Sequence, residues 1–255
     1  MTALTPAPAP ATSRPSIGRR IAVVAAGVPA CALPLMWTIS TVGELVTGAE
    51  RDHLFHQLTG QGLLLGALWL GGLLPLLVAG WRGRRPGPAP ALLHASVAGA
   101  AVVAGGLAPG NGGVFVAGIA VVTGALVWLA LPVRPRIAPS GLDPVLAPLA
   151  LAAAAVVAPF VLGQSALQRA MGNEHASFSH YFDMAWIGTA LVLAAVAAAL
   201  VPDARRLAVW ALAGLAFVGA ARYAFTPDVV WSLGALALGI AGAVAAGARL
   251  ARRAG

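Results

Sequence analysis

Two short stretches hold most of the side chains in this chain that could do chemistry. One reads Gly48-Ala49-Glu50-Arg51-Asp52-His53-Leu54-Phe55-His56, the other Gly172-Asn173-Glu174-His175-Ala176-Ser177-Phe178-Ser179-His180. Four of the five histidines (His53, His56, His175, His180) lie here, with Glu44 and Asp183 close by. Imidazole and carboxylate together make a ligand set for zinc, copper or iron, and the carboxylates can also orient the imidazoles from behind. A haem b held between His56 and His180 is a variant. The other chemistry on offer is acid–base, with His56 or His180 accepting a proton and Glu50 or Glu174 as its partner. By spacing alone, His53-x2-His56 and His175-x4-His180 are weak metal motifs, and polar residues in a loop also serve simply to meet water.

The two stretches share the pattern G-x-E-x5-H. Glu50 and Glu174 are 124 residues apart, as are His56 and His180, and an arginine cluster follows each copy (Arg82/Arg84/Arg85, Arg205/Arg206). Repeats of this kind identify a duplicated architecture. The positioning elements recur at the same offset: the first apolar run begins at 21 and the fifth at 145. A duplication of four helices plus four is therefore expected. Four is even, so both halves keep one orientation about an axis along the membrane normal. His56 and His180 then fall at equivalent places, where the second and sixth runs begin.

A membrane normal enters because composition demands it. Apolar residues are 59% of the 255, charged residues 9%, and the mean hydropathy is +0.86, whereas a soluble domain carries about a quarter charged residues. Apolar runs at 21–43, 59–80, 91–108, 113–132, 145–168, 184–201, 207–222 and 229–248 are each of membrane-crossing size. They are Ala/Leu/Val-rich rather than alternating, which favours helices over a transmembrane barrel. The fold expected is all-α: a polytopic bundle of eight transmembrane helices in a lipid bilayer. Residues 1–18 read as a disordered tail, 19–136 as the first four-helix unit and 137–255 as the second.

Placing the N-terminus inside puts thirteen arginines on the cytoplasmic side and only Arg51, Arg169 and Arg222 outside. That skew is the positive-inside rule, so both termini are expected in the cytoplasm of a bacterial inner membrane. The formal charge of +8 is accounted for by these loops and calls for no nucleic acid. One cysteine, Cys31, excludes an internal disulfide. Arg19-Arg20 before an apolar run has the look of a twin-arginine leader, without its usual flanking residues. Gly62-x3-Gly66 is expected to allow close helix packing, and His94 to lie at the cytoplasmic interface.

The run Leu68-Trp69-Leu70-Gly71-Gly72-Leu73-Leu74-Pro75-Leu76 resembles a WLGG-L stretch in the CopD family of bacterial copper-resistance membrane proteins, which also have about eight spans. The resemblance covers one helix and implies a copper role; the family's later TxYGR-type segment is not evident. Three readings stand at this point. One is a metal- or haem-handling membrane protein with an outer-face site at His56, His180, Glu50 and Glu174, and His53 and His175 as accessory ligands. The second is an intramembrane enzyme using Glu50 and Glu174 on a lipid or isoprenoid substrate. The third is a passive scaffold within a larger complex.

Overall fold

The computed structural model describes residues 16–48, 51–108, 113–170, 172–226 and 228–252, the side chains at 51 and 52 excepted. Most of the tail expected at 1–18, and Glu50, lie outside these residues. Among the described residues the helices are α1 Ile17–Thr47, α2 Arg51–Leu58, α3 Leu63–Arg82, α4 Pro88–Leu107, α5 Gly113–Ala130, α6 Leu146–Ala170, α7 Glu174–Ser177, α8 His180–Leu200, α9 Arg206–Phe225 and α10 Val229–Ala251. A 3-10 turn, Pro202–Ala204, precedes α9, and no strand occurs among them. Apart from α2 and α7, all are long and apolar enough to cross a membrane. This is a multi-pass helical membrane protein.

Helices follow because no other open structure satisfies its own backbone in hydrocarbon. Their starts carry local signals: Ser16 caps α1, Asp228 caps α10, and Pro88 opens α4, where no N–H partner is needed. Large apolar side chains such as Val230, Leu151 and Phe115 are 72–86% exposed. In water such a surface would aggregate; against lipid it is ordinary.

Each half closes into a ring of four. Helix α1 packs on α3, α3 on α4, α4 on α5, and α5 back on α1; in the second half α6 packs on α8, α8 on α9, α9 on α10, and α10 back on α6. The halves meet chiefly through α4 against α8. Small residues permit the closest approaches, since dispersion rather than water expulsion drives association in lipid. A Cβ added at Gly62 or Gly66 would lie 1.9 and 2.3 Å from Thr41 Oγ1 and Thr38 Oγ1 of α1. At Gly239 it would lie 2.3 Å from the Ala216 nitrogen of α9.

One expectation about a side chain is corrected. His94 is 1% exposed, not interfacial, and neither ring nitrogen has a hydrogen-bond partner. It fills a slot between Gly72 of α3 and Gly124 of α5, whose added Cβ atoms would lie 2.7 Å from its backbone nitrogen and 2.9 Å from its Nε2. The two missing side chains admit the ring one and a half turns into α4, a depth that position in the chain alone does not indicate.

At the arginine-rich end, Asp143 is buried where the α5–α6 connection meets α9 and α10. Its Oδ1 accepts from the Val145 and Leu146 N–H groups at the start of α6, at 3.0 and 3.3 Å. Its Oδ2 lies 2.9 Å from Arg205 Nε and 3.6 Å from an Arg249 nitrogen. Burial alone pushes its carboxyl upward; the two backbone donors and the two guanidinium groups outweigh it and hold the group below its ordinary range.

Candidate metal centre

All four histidines of the two polar stretches come together at the opposite end of the bundle. His53 and His56 stand on α2, His175 on α7, and His180 is the first residue of α8. Ring centroids are 5.1 Å apart for His53–His175, His56–His175 and His56–His180, 5.3 Å for His175–His180 and 5.4 Å for His53–His180. In His53, His175 and His180, one nitrogen from each ring lies within 4.8 Å of the others; His56 adjoins this set. His56 and His180 are each 7% exposed, while His53 and His175 are partly exposed. The cluster therefore opens to solvent on one side and is closed on the other.

Local structure explains the convergence. His53 and His56 are three apart on a helix, hence on one face. On the other side, Asn173 caps the single turn α7 by accepting from the Ala176 N–H at 3.0 Å, and its Nδ2 donates to the Tyr181 hydroxyl at 3.0 Å. Ser179, φ 62°, is the one non-glycine residue with positive φ among the described residues. This costly backbone state reverses the chain between α7 and α8 and turns His175 back toward His180. Tyr181 stacks on the His175 ring at 6.0 Å, and Phe178 on His180 at 5.9 Å.

Gln168 holds the arrangement from below. It is fully buried near the end of α6; its Nε2 donates to the Ala176 carbonyl at 2.7 Å, and its Oε1 accepts from the Phe182 N–H at 3.1 Å. One side chain thereby ties α7 and α8 to the same helix. Replacing Gln168 with Leu orphans the buried Phe182 N–H, while the Ala176 carbonyl keeps only the Ser179 N–H at 3.1 Å. The expected cost is about 1–2 kcal/mol, read as a lowered midpoint of thermal unfolding in detergent.

The donor set suits a transition-metal ion. Two imidazole nitrogens on one ion, each at about 2.0–2.1 Å, stand no more than about 4.2 Å apart. A set within 4.8 Å thus needs an inward movement of well under a side-chain rotamer change. The Nδ1 atoms of His56 and His180 are buried without a hydrogen-bond partner, an arrangement that native structures seldom keep unless something else engages them. A porphyrin fits less well: with the rings packed around 5 Å apart, no slot for a macrocycle separates His56 from His180.

The acidic residues are placed differently. Glu174 is exposed at the start of α7, where a carboxylate favours the helix dipole. Glu44 is held by Ser40 and Gln57, and Asp183, 3% exposed, by Gln61. Gln61, Gln168, Asn173 and Tyr181 were not singled out from sequence. The available signal was a glutamine inside or beside an apolar run, since polar groups at that depth are costly unless they hold something. Beneath the histidines the bundle is filled by Phe182, Trp186 and Trp69, each no more than 1% exposed, with Trp37 packed edge-on to Trp186 at 6.0 Å.

No protein-family model, curated protein or solved structure matches the chain.

Proposed function

We propose that this chain is a metal-binding protein of the bacterial inner membrane, handling copper at an outer-face centre made by His53, His175 and His180, with His56 beside them. One observation carries the reading: histidines from two segments over a hundred residues apart converge at one end of a bundle that has no other described grouping of three metal-ligating side chains. Imidazole sets bind Zn, Cu, Fe and Ni, and copper(II) heads the affinity order among divalent ions. The resemblance of the Leu68–Leu76 stretch points the same way. The aromatic floor favours a centre that takes and gives metal from its own face over a pore through the bundle.

The same reading includes the 4+4 duplication and cytoplasmic termini. It is supported by the matching order of helix packing in the two halves and by the arginines gathered opposite the histidines. Histidines from both copies of the repeat then share a single site. The acid–base alternative, built on Glu50 and Glu174, gains no support from an exposed Glu174. The test is direct. Protein purified in mild detergent, loaded with copper and dialysed against a weak chelator, is expected to keep about one copper per chain by mass spectrometry. An absorption spectrum run alongside is expected to lack a Soret band. Dialysed protein free of copper, zinc and iron sinks the metal reading, and a Soret band replaces it with haem.

A further inference from the structure

A second site lies between α6, α9 and α10 at the histidine end. It is a cavity of about 550 Å³ walled by Pro159, Phe160, Gly163, Leu167 and Trp231, with Gln164, Arg222 and Asp228 as its polar members. Three features set it apart from a lipid-filled crevice. Gln164 is 94% buried by its 6% exposure, yet its Oε1 has no hydrogen-bond partner. Arg222 donates through its terminal nitrogen to Asp228 Oδ2 at 2.9 Å, while its Nε is buried and unpartnered. The guanidinium is also fixed over three rings, 5.1 Å from Phe160, 5.3 Å from Trp231 and 5.8 Å from Phe55.

The chemistry of an occupant follows from those groups. Asp228 already neutralises Arg222, so the site does not select an anion. It presents an acceptor, Gln164 Oε1, and a donor, Arg222 Nε, inside walls that are otherwise apolar and aromatic. A hydroxyl group is both donor and acceptor and carries no charge. The cavity is bounded by residues of membrane-crossing helices, so the rest of the ligand is a lipid-soluble tail.

We propose that this cavity binds the neutral hydroxyl-bearing headgroup of a membrane amphiphile, with Gln164 accepting from the hydroxyl and Arg222 donating to it. Two sources share that chemistry: a glycerol-type lipid headgroup and a hydroquinone ring. The site is separate from the histidine cluster, although Phe55, under Arg222, lies one residue from His56.

The experiment uses the whole protein in detergent, with Trp231 fluorescence as readout and a Trp231→Phe variant as blank. A short-chain monoacylglycerol and a short-chain hydroquinone, both uncharged, are titrated, each against a partner whose hydroxyls are methylated. Saturable binding of at least one hydroxyl form is expected, weakened about tenfold or more by methylation, as for a lost buried hydrogen bond. Whichever form binds names the source. Gln164→Leu is expected to weaken that form about tenfold. Gly163→Leu, at a position where an added Cβ meets nothing within 4 Å, is expected to abolish it by filling the cavity. Equal binding of the methylated forms, or binding unchanged in both variants, overturns the proposal. Should a variant fail to fold, the methylation series on unaltered protein still decides it. Copper retained by Gln164→Leu keeps this result distinct from the fate of the metal centre.

Discussion

His175→Ala combined with His180→Ala is expected to leave the protein folded and unable to retain copper. Removing a group that only orients a metal ligand costs about 10–100-fold in affinity, so loss of a ligand itself is expected to cost at least about a hundredfold. Loss of two from a set of three leaves a single imidazole, which any weak chelator outcompetes. Single alanine variants of His53, His175 and His180 are each expected to lose about a hundredfold or more. His56→Ala is expected to lose only about tenfold, because its ring adjoins the set whose nitrogens lie within 4.8 Å without belonging to it. Competition titrations with a colorimetric copper chelator measure all of these. A His56→Ala loss as large as the others would make the centre four-coordinate through histidine. No loss in any of them would remove the cluster from metal chemistry altogether.

Folding is expected to survive because the metal-free rings contribute packing more than bonding. The Nδ1 atoms of His56 and His180 have no partners to orphan, so truncation costs about 1 kcal/mol per ring, the usual scale for a point change. Matching thermal midpoints of the metal-free proteins check this.

The histidines were legible in the sequence because polar groups are conspicuous against a 59% apolar chain, and the shared offset of 124 residues between the stretches gave a reason for them to meet. Helix number was legible for the same reason: each apolar run must span hydrocarbon. The division of labour within the site was not. Spacing put His56 and His180 forward as equivalents, but α2 runs from Arg51 to Leu58 before α3 begins, whereas His180 itself opens α8. The two copies thus enter their long helices differently, and His53 reaches the converging set while His56 lies beside it. Gln168 stayed hidden because its work is to bind backbone groups of α7 and α8, which carry no mark in sequence. His94 was misplaced because the slot that buries it is made by glycines on two other helices, and absent side chains leave no local trace.

Asp143 shows the same limit at the opposite end, and it carries the largest stability effect expected of any single acidic residue described. Nothing near it in sequence announces a partner; Arg205 and Arg249 come from the starts and ends of helices far along the chain. The carboxylate caps α6 and stands between two guanidinium groups whose side chains are 13% and 24% exposed, its own being 1% exposed. The cluster sits at the rim of the bundle, so solvent screens part of the attraction, and the value for a fully buried pair is too large. Asp143→Ala removes the cap and leaves two part-buried cations facing each other. An expected cost of about 2–3 kcal/mol combines a lost cap with a discounted broken ion pair. Asp143→Asn keeps an oxygen for the Val145 and Leu146 N–H groups but not the charge, so about 1 kcal/mol of that cost should return. The pH dependence reads the contribution of the charge, to which the backbone donors and the arginines both add. The folded carboxyl is held below its ordinary range, so its contribution is complete above the unfolded value of about 4 and is lost as pH falls through the lower folded value. Thermal midpoints in detergent should therefore differ most between wild type and Asp143→Asn at neutral pH, keep that gap down to about pH 5, and converge below about pH 4. A gap that stayed constant to low pH would mean that the charge on Asp143 adds nothing to stability, through the arginines or through the backbone donors.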